Sequence, residues 1–132
     1  MDRRECLSVS EFIILVIPPV VVSLASLSVF ALTIRRHWLI GGMTFCAAFA
    51  ETMAALSWLD VLPTSIPVWL DTCISLVYWS GPFWLFLAGL LLVFAKDVRN
   101  RKRLLVVTLG CFFIATAHCV VSYKVAEAWA SV

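Results

Sequence analysis

The chain has 132 residues, of which 63% are hydrophobic and 14% charged, with a mean hydropathy of +1.03 and a formal net charge of +2. So little polar surface cannot cover a water-soluble globule, and lipid is the expected solvent. The small net charge hides an uneven placement of basic residues and gives no reason to expect a nucleic-acid partner.

Four apolar runs follow in chain order, at 12–34, 38–59, 72–95 and 104–123. Each has the roughly 20 residues that ~30 Å of hydrocarbon requires at about 1.5 Å per residue. The expected fold is an all-α integral membrane protein: a four-helix transmembrane bundle with short loops at 35–37, 60–71 and 96–103, forming a single domain over 1–132. With no soluble domain expected, any activity belongs to the bundle, its rims or its partners.

The first run follows Arg3 and Arg4, as a signal peptide would. Its apolar core is longer than the ~7–15 residues of a signal h-region. It also contains Pro18 and Pro19, and Arg35 and Arg36 follow where a small-residue cleavage site would stand, so it reads as a retained span. Serines 23, 26 and 28 give it a partly polar face.

The second run carries Glu51 near its middle, far from any aqueous route, and an intramembrane carboxylate is by default a candidate functional group. Its helical neighbours are Thr44, Ala47, Ala48, Ala54, Ala55 and Trp58. Such a small-residue face marks helix–helix contact, within the bundle or in an oligomer, rather than lipid contact. The third run is interrupted by Ser80-Gly81-Pro82. The fourth carries His118 on a similar small face with Cys111, Ala115 and Ser122.

Depth counting relates these features. From the inner rim, Glu51 lies about 20 Å and His118 about 21 Å along their helices, and both proline breaks fall at roughly 20–24 Å. Each proline removes a donor and frees a carbonyl one turn earlier, which needs a partner in lipid. The expectation is a polar layer built from Glu51, His118, Ser80 and the breaks at Pro18, Pro19 and Pro82. Glu51 and His118 would partner one another there, offsetting part of the cost of burying either.

Orientation follows from Arg35 and Arg36 together with Lys96, Arg99, Arg101, Lys102 and Arg103, which an even number of spans places on one side. The positive-inside rule makes that side cytoplasmic and puts both termini outside. These residues read as topology anchors, more than as a patch for acidic lipid. Trp38 at the inner surface, and Trp58, Trp69, Tyr123 and Trp129 at the outer, fit interfacial aromatic belts. The expected location is a bacterial inner membrane.

Site chemistry is sparse. Cys6, Cys46, Cys73, Cys111 and Cys119 contain no C-x-x-C and no metal-type spacing; Cys6 and Cys73 are the one pair placed to form an outer-face disulfide. His37 stands at the inner rim, too far from His118 for paired haem ligation. Met43, Cys46 and Met53, or His118 with Cys119, make a poor copper or zinc set, since adjacent helical positions point about 100° apart. No G-x-S-x-G, H-E-x-x-H or P-loop occurs, so neither an enzyme nor a cofactor is expected.

In size, helix number and single membrane carboxylate the chain resembles the small multidrug resistance transporters, in general architecture only. That family carries its carboxylate on the first helix, whereas Glu51 is on the second, and Ala50-Glu51-Thr52-Met53 does not continue as the family pattern does. No residue roles carry over. The leading functional expectation is a non-enzymatic protein acting by membrane-embedded interaction with another membrane protein or itself, as an accessory, assembly or immunity/defence-type factor. The first alternative is a homo-oligomeric channel or proton-coupled small-solute carrier using Glu51 with His118. A membrane enzyme acting on lipid or quinone is the last. For Glu51 itself the favoured reading is packing, as a protonated carboxylic acid hydrogen-bonded to a neighbouring helix, ahead of transport or proton coupling, and for His118 it is a satisfied packing histidine.

Overall fold

The computed structural model describes residues 9–58, 67–95 and 100–130, and every regular element among them is helical. In chain order these are α1 (Val9–Thr33), α2 (Trp38–Trp58), α3 (Val68–Trp79), α4 (Gly81–Phe94) and α5 (Arg101–Ala130). Three of them, α1, α2 and α5, are each long and apolar enough to cross a membrane; α3 and α4 together make a further span if the bent pair is counted as one. The chain is thus an all-α, multi-span membrane bundle with three to four apolar spans.

The third expected span is where local chemistry changes the element. Pro82 cannot donate to the helical ladder, and the chain leaves helix at Ser80 before restarting at Gly81 with proline in its first turn, where the missing N–H costs nothing. The two halves are bent by 43°. Pro18 and Pro19, by contrast, lie inside an unbroken α1. The start at Val68 also brings the third element in earlier than the expected 72, and α5 runs on to Ala130, past the expected 123.

Four helices close a ring of neighbours: α1 packs on α2, α2 on α4, α4 on α5 and α5 back on α1, while α3 leans on α2. In lipid, apolar burial does not drive helices together, so close packing and polar contacts must. The α2 face accordingly buries Thr44, Ala47, Ala48, Glu51, Ala54 and Ala55, the small face legible in the sequence, and α5 buries Cys111, Ala115, His118 and Ser122. The α1–α2 seam adds a hydroxyl chain: Ser23 Oγ lies 2.8 Å from Thr52 Oγ1, which donates to the Ala48 carbonyl at 2.8 Å.

The core is layered along the bundle axis. One end is closed by Val29, Ile40, Leu92 and Leu104, one residue from each ring helix. Further along, Val22, Ala47, Leu85, Cys111 and Ala115 form a second apolar cluster. Of the described basic residues, Arg35, Arg36, Arg101, Lys102 and Arg103 lie at the Leu104 end, beside the α1–α2 turn and the start of α5, and Lys124 lies towards the far end of α5. Arg101 Nη1 reaches the Val93 carbonyl at 3.3 Å, close to the C-terminal end of α4, where a cation is favoured. Lys96 and Arg99 lie outside the described residues.

Candidate functional site

Beyond the second apolar cluster the bundle interior turns polar. Glu51 on α2 is 2% exposed and His118 on α5 is 4% exposed. Between their helices stands Tyr78, near the end of α3, which interacts electrostatically with Glu51 and has its ring centroid 6.3 Å from that of His118. Trp58 Nε1–H donates to the Tyr78 hydroxyl. Cys111 and Cys119 of α5 complete the surroundings of Glu51.

Glu51 and His118 are not an ion pair. His118 instead turns its Nε2 to the backbone carbonyl of Leu15 on α1, at 2.7 Å, with Ser122 Oγ a weaker 3.4 Å away. Proline chemistry explains the choice. In a helix the Leu15 carbonyl would accept from the N–H of residue 19 or, in a tighter turn, of residue 18, and both are proline. His118 supplies the donor that α1 cannot. The anticipated need of the freed carbonyl is therefore met, but by the histidine that was expected to serve Glu51.

Glu51 meets a different feature, the helix break. Its Oε1, Cδ and Cγ lie against the α-carbon of Gly81, in the space a Cβ would fill. The glycine is required for room alone, since no glycine in the described chain has a positive φ. The carboxyl so placed stands beside the first turn of α4, the end of a helix at which negative charge is favoured. Among the described residues no hydrogen bond to it is formed.

The remaining expected residues are placed as follows. Ser80 is half-buried, donates to the Val77 carbonyl at 2.8 Å and accepts from Trp84 Nε1 at 3.1 Å, so it braces the bend and does not touch the carboxyl. Pro19 is fully buried against the bundle, whereas Pro18 and Pro82 are half-buried. Cys6 lies outside the described residues; Cys73 is exposed. Among the described residues, no group of three or more His, Cys, Asp or Glu is placed to hold a metal.

Sequence reasoning missed Tyr78, Trp58 as its partner, and the seam of Ser23 with Thr52. The available signal for Tyr78 was a hydroxyl-bearing aromatic within one turn of the break, in an otherwise apolar run.

On the outer side of the α2–α3 contact, the bend opens a groove of about 520 Å³ lined by Phe45, Cys46, Phe49, Leu76, Val77, Ser80 and Trp84. On α2 the groove residues and Glu51 occupy opposite faces, so the carboxyl is not part of its wall. No family model, characterised protein or solved structure matches the chain.

Proposed function

We propose that this protein is a proton-exchanging membrane carrier or channel in which Glu51 is the group that gives and takes the proton and His118 is a second proton site. The observation that carries this reading is the place of Glu51: a carboxyl 2% exposed, pressed on the glycine of a helix break beside the first turn of a half-helix and, among the described residues, held by no hydrogen bond. An ionisable residue inside a membrane span is by default a candidate for an ion or proton pathway. Broken helices whose half-helix ends meet a buried charge are a recurring construction for ion and solute sites in membranes. In this reading there are four spans, the Arg35–Arg36 and Arg101–Arg103 end faces the cytoplasm, both termini face outward, and the membrane is a bacterial inner membrane.

The test is reconstitution in liposomes with an imposed pH gradient and a trapped pH dye. Wild-type protein is expected to dissipate the gradient, with Glu51→Gln reducing the rate to that of empty liposomes and His118→Gln changing its pH profile. Wild-type flux equal to that of empty liposomes overturns the reading.

A membrane-embedded, non-enzymatic interaction role, as an accessory, assembly or immunity/defence-type factor, is the second reading. The aromatic groove beside the bend favours it, because a concave surface rich in Phe and Trp suits a partner helix. In that case Phe45→Ala and Phe49→Ala abolish the phenotype while Glu51→Gln leaves it intact.

A further inference from the structure

We infer that Pro18-Pro19 is a tautomer lock for His118, so that Pro19 is a positioning residue acting through the Leu15 carbonyl. The inference deepens the carrier reading and rests on it for its functional consequence, though not for its geometry. A backbone carbonyl only accepts, so the 2.7 Å contact requires the proton on Nε2. Ser122 Oγ, at 3.4 Å from the same nitrogen, can likewise only accept from it. With Nε2–H committed, Nδ1 is the one position at which the ring takes up or releases a proton.

The fixity of that arrangement comes from α1. An ordinary helical carbonyl already holds its own N–H and competes poorly for a side chain. The Leu15 carbonyl has lost the donors at both 18 and 19, is held rigidly inside a continuous helix, and is buried against α5. It therefore presents a permanent acceptor at one place, and the ring turns to meet it. Around His118 the titratable groups are Tyr78 on α3, Cys119 beside it on α5 and, across Tyr78, Glu51 on α2. None of these is hydrogen-bonded to Nε2, so the lock is set by the backbone and not by a charge that could itself titrate.

The two prolines separate cleanly in a test. Pro19→Ala returns an N–H to the Leu15 carbonyl at the ordinary helical spacing; Pro18→Ala returns one to the carbonyl of Ile14 and leaves Leu15 bare. The full chain in liposomes, with imidazole ¹⁵N labelling and His37→Gln to leave a single histidine, would be observed by solid-state NMR at a pH where the ring is neutral. Wild type and Pro18→Ala are expected to show one Nε2–H species with dipolar contact to a ¹³C-labelled Leu15 carbonyl. In Pro19→Ala that contact is lost and the Nε2 proton exchanges about fivefold faster or more.

An unprotonated Nε2 in wild type, or an unchanged spectrum in Pro19→Ala, overturns the lock, and so does an equal effect of the two alanines. If Pro19→Ala does not fold, the wild-type contact alone decides. The pH profile of liposome flux should move by roughly half a unit in Pro19→Ala and stay put in Pro18→Ala. A profile that ignores Pro19→Ala also overturns the functional part. Failure of the carrier reading is seen separately, as flux that is absent in wild type while the Nε2 signature is intact.

Discussion

Gly81→Ala is the most direct probe of the contact between Glu51 and the helix break. The added methyl would occupy the space now held by Glu51 Oε1 and would come within 3.2 Å of Cδ. Glu51 is 2% exposed, so its carboxyl has to be accommodated inside the bundle, and Cδ as well as Oε1 must give way. Overpacking of this kind costs about 1–3 kcal/mol. Against it stands the gain from replacing glycine in a helix, up to about 1 kcal/mol. The balance is a loss of roughly 0–3 kcal/mol in the native background. In Glu51→Ala the clashing atoms are gone and only the gain is left, so the same substitution should become stabilising by up to about 1 kcal/mol. Reversible unfolding of the four proteins of this cycle, in mixed micelles titrated with denaturing detergent, measures the coupling. A coupling below about 0.5 kcal/mol, the scatter of independent sites, would refute the claim that glutamate and glycine touch.

The glycines of α2 give a second contrast. A Cβ on Gly41 would stand 3.0 Å from the Ile34 backbone, which cannot rotate away, whereas Gly42 has nothing within 4 Å. Gly41→Ala should cost about 1–3 kcal/mol and Gly42→Ala should be neutral or mildly stabilising, by the same unfolding assay. A third prediction concerns hydroxyls: Ser26 and Thr108 are 1% exposed and, among the described residues, have no partner for Oγ or Oγ1, so Ser26→Ala and Thr108→Val are expected to be neutral or stabilising. Ser23→Ala, which breaks the contact to Thr52, should instead cost about 1 kcal/mol.

How much of the site was legible can be argued residue by residue. Glu51 and His118 stand out because charge and imidazole are expensive in an apolar run, and their small-residue faces point them inward from spacing alone. Equal depth suggested that they meet. They do not, because depth fixes only height along the axis. Which neighbour a side chain reaches around the ring depends on rotation and on what else at that height needs a donor, and the Leu15 carbonyl, stripped by two prolines, needs it first. Ser80-Gly81-Pro82 was readable as a break, since proline chemistry is local. That the break would press its glycine on Glu51 was not, because it requires the register of α2 against α4.

What the amino-acid sequence determined by itself was solvent and periodicity: lipid as the medium, the approximate extent of the apolar helices, their small inward faces, and the clustering of basic residues. These follow from composition and from spacing along one helix, where every interaction lies within a few residues. Only the tertiary structure decided the ring order of α1, α2, α4 and α5, the 43° bend that sets α3 apart, and the assignment of partners in the polar interior. Those depend on contacts as distant as Leu15 with His118, where donors and acceptors compete across helices and no local pattern records which one wins.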